Sequence, residues 1–255
     1  MTWIEINRKR LLYVNRWTRF IKSSLKAQVR PVIDAISTDP VESVIERIPL
    51  LINDEMIRDS FKRLYPDVGA RFAIDTYNAF KPKQMTEEEI LQDMYFQDMM
   101  AYAEREAGIR IVSITNGSKD LAVRLLRQLM QESTIPQGWG VEQTAVFFQK
   151  EFAQMYGSFD LWRARRIAQT EILTASNKAS QVGAIGAGAN IKIWQCQPGR
   201  PKNERHTTYP GLHEQRRDMN QPYDVGGFPA MYPGDPGLPA SECINCRCAE
   251  VYERL

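Results

Sequence analysis

Two histidines and four cysteines are the residues of this 255-residue chain best suited to holding a metal or acting as a nucleophile. All six fall between Cys196 and Cys248, and three of the cysteines crowd into "CINCRC" near the end. A Cys-x2-Cys-x-Cys run with histidines in reach supplies the soft nitrogen and sulfur donors that tetrahedral zinc prefers. His206, Cys243, Cys246 and Cys248 are therefore the candidate ligands for Zn2+, with His213 as an alternative ligand. One tetrahedral ion cannot take all five. The second paired knuckle of a zinc ribbon is missing, so Cys196 and the histidines would have to close the site from far away in sequence. Two other readings compete: buried free thiols that simply pack, and oxidation or redox use.

Established catalytic patterns do not fit. A zinc deaminase needs His-x-Glu and Pro-Cys-x-x-Cys. Here His206 is followed by two threonines and His213 by Glu214 and Gln215. The chain has no Walker loop, Rossmann glycine fingerprint, G-x-S-x-G or H-E-x-x-H. No catalytic residue is assigned. An enzyme reading survives only as an alternative: a metal-dependent nucleic-acid-processing enzyme or transferase. It would use the His206/Cys246/Cys248 region with Glu171 or Asp235.

The elements that must position these residues change character along the chain. Residues 1–182 are poor in Gly and Pro and read mostly as helix. The rest carries most of the Gly and Pro and all the cysteines, with the shift near Gly183–Asn190. The fold class expected is α+β, a mostly helical N-terminal region followed by a small loop-rich α+β module. Two divisions are expected: a helical arm over 1–108, and a second domain over 109–255 whose helices run to about 182.

Apolar periodicity predicts a first helix over about Ile6–Val29, with Leu11, Val14, Thr18, Ile21 and Leu25 on one face. Tyr13, Trp17 and Phe20 make a second stripe. A helix follows over Ile57–Leu64, and Pro66 is expected to break it before Val68–Phe80. Thr86 and Glu89 form a capping box for a helix to about Glu106. "GIRIVSITNGS" reads as a strand or buried loop, with Ser118 capping a helix over Lys119–Gln131. Val141–Tyr156 and Phe159–Val182 read as two helices. The second presents a narrow face of Leu161, Ala164, Ala168, Ile172, Ala175 and Ala179, suited to close packing. "NIKIWQCQ" alternates like a strand, and "CRCAEVYERL" can supply another.

Charge is unevenly spread. Formal net charge is +2, yet residues 1–30 carry eight Lys and Arg against Glu5 alone. The bland reading is a solvated basic helix with a core face. The sharper one is a contact surface for an acidic protein or for nucleic-acid phosphates, through Arg8, Lys9, Arg10, Arg16, Trp17 and Arg19. Arg163, Arg165 and Arg166 offer a smaller basic face. No stretch is apolar enough to span a bilayer, and no secretory leader is visible, so synthesis in the cytoplasm is expected.

Several ordered blocks carry a resemblance. "RRIAQTEILTASNKASQVGA", "IKIWQCQPGRPKNERHTTYPG" and "YDVGGFPAMYPGDPGLPASECINCRC" resemble the phage Mu F-like head morphogenesis family, which includes a minor head protein of a Bacillus siphophage. The likeness covers about residues 110–250. It rests on Arg163 to Glu171, Lys192 and Trp194, Arg205, His206 and Gly211, and Pro233 to Cys248. Gln169 and Pro198 depart from the family pattern. The resemblance implies a non-enzymatic minor capsid protein of a tailed bacteriophage, made in the host cytoplasm and located in the virion at the portal vertex. It further implies a part in head morphogenesis and in DNA packaging or ejection. The portal protein is the implied partner, with packaged double-stranded DNA and the major capsid protein as further ones, and no membrane anchor.

Overall fold

The structure is a computed structural model that describes residues 2–80, 85–106, 108–133, 139–197, 206 and 211–255. Six helices come first: α1 (Trp3–Ile36), α2 (Val41–Leu51), α3 (Glu55–Phe80), α4 (Met85–Glu106), α5 (Gly108–Glu132) and α6 (Val141–Gly186). A small module of short strands follows: β1 (Ile191–Gln195), β2 (Arg216–Asp218), β3 (Tyr223–Val225), β4 (Phe228–Ala230) and β5 (Ala249–Glu253). A single helical turn, α7 (Ala240–Cys243), sits before β5. The expected α+β class holds. Among the described residues, no helix is long and apolar enough to cross a membrane.

The chain forms two units, each discontinuous in sequence. One comprises Met1–Trp17, Phe61–Ala107 and Arg166–Leu255, and the other Thr18–Ser60 and Gly108–Arg165. A single cut between 108 and 109 differs from this division, because α1, α3 and α6 each contribute residues to both units.

The second unit is all helix. Val29, Val32, Ile48, Leu125, Leu126 and Phe152 lie in its core. The stretch read as a strand or loop is the start of α5. Ile111, Thr115, Ser118, Leu121 and Ala122 recur at helical spacing and are all buried, so packing overrides the turn chemistry of Thr115-Asn116-Gly117. Ser118 is thus no cap: it lies inside the helix and accepts a hydrogen bond from Arg163 Nη2 at 3.0 Å. Gln28 spans the unit, donating to Thr115 Oγ1 (3.1 Å) and to the Asn53 carbonyl (2.6 Å).

The first unit holds all the cysteines. Its strands form an antiparallel sheet in the order β2-β1-β5, with Ile193 opposite Arg216 and Val251, and Trp194 opposite Glu250. A separate hairpin pairs β3 with β4 through Gly226-Gly227. Both glycines have positive φ, +62° and +87°, which the tight two-residue turn requires. Lys192, Trp194 and Cys196 share one face of β1 and are buried, but Ile193 on the other face is buried as well, so the alternation expected of "NIKIWQCQ" is in side-chain direction and not in burial.

Helix boundaries differ from expectation in physically understandable ways. Pro66 lies inside α3, and Pro31 inside α1. Each ring removes one backbone donor, while buried neighbours on the same helices (Leu64, Tyr65 and Val68; Val29 and Val32) keep the chain seated. Gly157 and Ser158 do not divide α6, which runs unbroken for 46 residues. Leu161 is exposed rather than part of the packing face, as is Leu11 on α1. The Thr86–Glu89 capping box lies outside the described side chains.

The small-residue face of α6 continues past its expected end to Gly183. Ala168, Ile172, Ala175 and Ala179 are fully buried. At Gly183 a Cβ would stand 2.2 Å from the Ala73 carbonyl oxygen on α3. Gly183→Ala is therefore expected to destabilise the protein by about 1–3 kcal/mol through overpacking, although alanine is the better helix former by about 1 kcal/mol. Thermal unfolding of the variant measures this, and a raised midpoint would mean the two helices can separate at no cost.

Candidate metal centre

The cysteine segment turns back on itself through backbone geometry its sequence favours. Pro239 precedes α7, and Cys243 closes it with its N–H on the Pro239 carbonyl at 3.3 Å. Asn245 takes a left-handed φ of +60°, which asparagine tolerates better than most residues. The Cys246 N–H then reaches the Cys243 carbonyl at 3.1 Å. That knuckle aims Cys246 and Cys248 inward just before β5 begins.

His206 meets them from a different part of the chain. Its carbonyl accepts the Leu212 N–H at 2.7 Å, and the edge of its ring packs on Trp194 with centroids 5.8 Å apart. Nδ1 lies 3.4 Å from Cys248 Sγ and 3.8 Å from Cys246 Sγ. The ligand atoms of His206, Cys246 and Cys248 lie within 4.8 Å of one another, and all three residues are buried. With metal–sulfur bonds of about 2.3 Å and metal–nitrogen bonds of about 2.0 Å, a tetrahedral ion sets its S···N edges at roughly 3.5 Å. The observed spacings fit that figure, so the cluster could hold a metal ion.

The surroundings match what a metal-bound imidazole needs. His206 Nε2 is 2.9 Å from Glu242 Oε2. A carboxylate there accepts a hydrogen bond from Nε2–H, fixes the tautomer and leaves the Nδ1 lone pair facing the sulfurs. The Cys248 N–H donates to Cys246 Sγ at 3.4 Å, a contact that favours thiolate. The neighbouring thiol and burial work the other way: the hydrogen bond with Cys248, then burial, pushes the Cys246 thiol well above its ordinary range, and burial pushes Cys248 up. A bound cation would offset that penalty directly.

The other expected ligands are placed elsewhere. Cys243 Sγ faces the carbonyls of Asp235 and Leu238 at 3.6 and 3.8 Å. His213 Nδ1 accepts the backbone N–H of Cys196 at 3.1 Å. Neither belongs to the three-residue cluster. Cys196, outside the main expected ligand set but considered for closing the site, has its sulfur 3.5 Å from that of Cys248. The signal for it was the inward register of the strand it follows. None of the four cysteines is in a disulfide.

Of the two acids considered for catalysis, Glu171 is buried and accepts the Tyr65 hydroxyl at 2.6 Å. The Asp235 carboxylate is taken up by the backbone amides of Met231 (2.8 Å) and Gly237 (2.9 Å), so it staples its loop. Arg205 lies outside the described residues.

The basic helix is the clearest correction. Arg10 is only 5% exposed and cannot touch a partner. Its Nε donates to Ser176 Oγ (2.7 Å), Nη1 to the Cys248 carbonyl (3.0 Å) and Nη2 to Asn177 Oδ1 (2.5 Å). Desolvation lowers its pKa to about 10. Lys9 pairs with Asp75, and Asp67 receives both Arg16 and the Trp17 indole N–H. Acids on α3 therefore neutralise much of the face that looked like a contact surface. Arg8 and Arg19 remain exposed.

Comparison with protein-family models, with curated proteins and with solved structures finds no match to this chain.

A metal ion here must displace the protons of at least two buried thiols. Because the thiol–thiol hydrogen bond and burial raise Cys246, and burial raises Cys248, the thiols are protonated across neutral pH when no metal is bound. Affinity is thus expected to fall as pH falls, by at least about 100-fold per pH unit for two protons released. Chelator competition between pH 6.5 and 8 checks this. Retention independent of pH would show that the thiols are not ligands.

Proposed function

We propose that the protein is a minor head protein of a tailed bacteriophage, acting at the portal vertex in head morphogenesis and in DNA packaging or delivery. Its C-terminal module is stapled by a zinc ion on His206, Cys246 and Cys248. Zinc is favoured because the donors are thiolate and imidazole. The role assigned to it is structural, since the donors are enclosed and a catalytic ion needs an open position for water or substrate. Such a staple suits a module with short strands and long loops, whose core alone supplies little stability.

One observation carries the reading beyond a generic metal module. The blocks that resemble the Mu F-like family are the ones whose side chains bind each other. Asn177 Nδ2 donates to the Pro233 carbonyl (2.8 Å) and the Cys248 carbonyl (3.3 Å). Thr174 Oγ1 donates to the Gly234 carbonyl at 2.8 Å, and Lys192 Nζ to the Met231 carbonyl at 2.6 Å. Trp194 packs on both His206 and Tyr223. The motif "PGD" thus serves as a set of backbone acceptors for α6 rather than as a catalytic loop. Motifs read separately in sequence act as one interlocked structural signature.

The test is association. Co-expressed with the portal protein encoded in the same genome, the chain is expected to co-purify with it as a stable complex. Recovery of the two as separate species, with the chain absent from purified heads, would overturn the reading.

A further inference from the structure

We infer that Cys196 is the fourth ligand of the metal centre, making a three-thiolate, one-imidazole set, and that Arg10 is the counter-charge built into the fold for it. This rests on the metal reading above and adds its ligand count and charge.

Three donors leave a tetrahedral ion one short. Cys196 is an unassigned donor beside the cluster, with its sulfur 3.5 Å from Cys248 Sγ. It is buried, and a single torsion sets the position of its sulfur, which at present points to the His206 carbonyl at 3.4 Å. The alternatives are already engaged. Cys243 faces two loop carbonyls, Glu242 holds the far nitrogen of His206, and the imidazole of His213 is on the Cys196 amide. That last bond gives His213 a role as a positioning residue, fixing the end of β1 from which Cys196 projects.

Charge separates this set from the two-thiolate one. Two thiolates and a divalent ion sum to zero, while three leave one negative charge. Arg10 is a buried cation whose hydrogen-bond partners among the described residues are all neutral: a hydroxyl, an amide oxygen and a carbonyl. A buried charge persists only where something offsets it. Its Nη1 sits on the carbonyl of Cys248 itself, and negative charge on Cys246 or Cys248 would stabilise the guanidinium. Counted over the ion and its ligands alone, the three-thiolate set carries one negative charge that Arg10 can offset; the Glu242 carboxylate on the far nitrogen of His206 adds its own charge to either set.

X-ray absorption of the zinc-loaded full chain reads the ligand set without any mutation. Three sulfurs and one nitrogen are expected. In the cobalt-substituted protein, Cys196→Ser should remove one of three thiolate contributions to the charge-transfer absorbance while metal is still bound. Arg10→Met should weaken zinc retention by about 10–100-fold, as changes around metal ligands do. That loss should shrink in the Cys196→Ser background, where the negative charge is gone. A zinc form with two sulfurs, or a Cys196→Ser protein with unchanged cobalt absorbance, overturns the inference and leaves the three-residue site standing. A wild-type chain that takes up neither metal removes both.

Discussion

The Arg10 guanidinium holds three distant segments of the first unit at once. From α1 it reaches Ser176 and Asn177 on α6 and the carbonyl of Cys248 at the entry to β5. A hydrogen bond to a charged group contributes about 1.5–3 kcal/mol, so losing these contacts makes it costly for α1 to leave this site. Everything else in the unit is arranged around that constraint. Asn177 shares the Cys248 carbonyl with Arg10 and extends the network to the Pro233 carbonyl. The cysteine knuckle is thereby fixed from its backbone as well as from its sulfurs.

The sulfur cluster and the guanidinium solve each other's problem. Buried thiolates need positive charge nearby, and a buried cation needs negative charge. The module has little apolar volume to dominate either term. Its core is short: Leu173, Trp194, Leu212, Tyr223, Val225, Ala230 and Leu238 with the four cysteines. Polar bonding therefore carries a larger share of its specificity than in the helical unit, whose core is built of Val, Ile, Leu and Phe. The same contrast explains why loops can be long here without losing their place, since Asp235 and Thr174 pin them through backbone groups.

Much of the architecture was legible because periodicity survives packing. The face of β1 that carries Trp194 and the alanine face of α6 are both buried surfaces. What failed did so for identifiable reasons. Thr115-Asn116-Gly117 has the composition of a turn, but the burial of Ile111 and Leu121 around it imposes a helix. Residue types pointed to the metal cluster, yet spacing alone could not choose among Cys196, Cys243, Cys246 and Cys248. That choice is made by Asn245, by the inward face of β1 and by where His206 arrives. Arg10 was the least legible of all. Counting charges made it part of a surface, and only the positions of Asn177 and Cys248, far along the chain, turn it inward.

The central claim is that a metal ion on the buried thiol–imidazole cluster holds the C-terminal module together. Amide hydrogen exchange before and after metal removal tests it most directly. The account predicts that chelation strips protection from β1, β5 and the Cys243–Cys248 knuckle, while α2 and α5 keep theirs. Protection that is the same with and without chelator, in a protein purified free of metal, would contradict it.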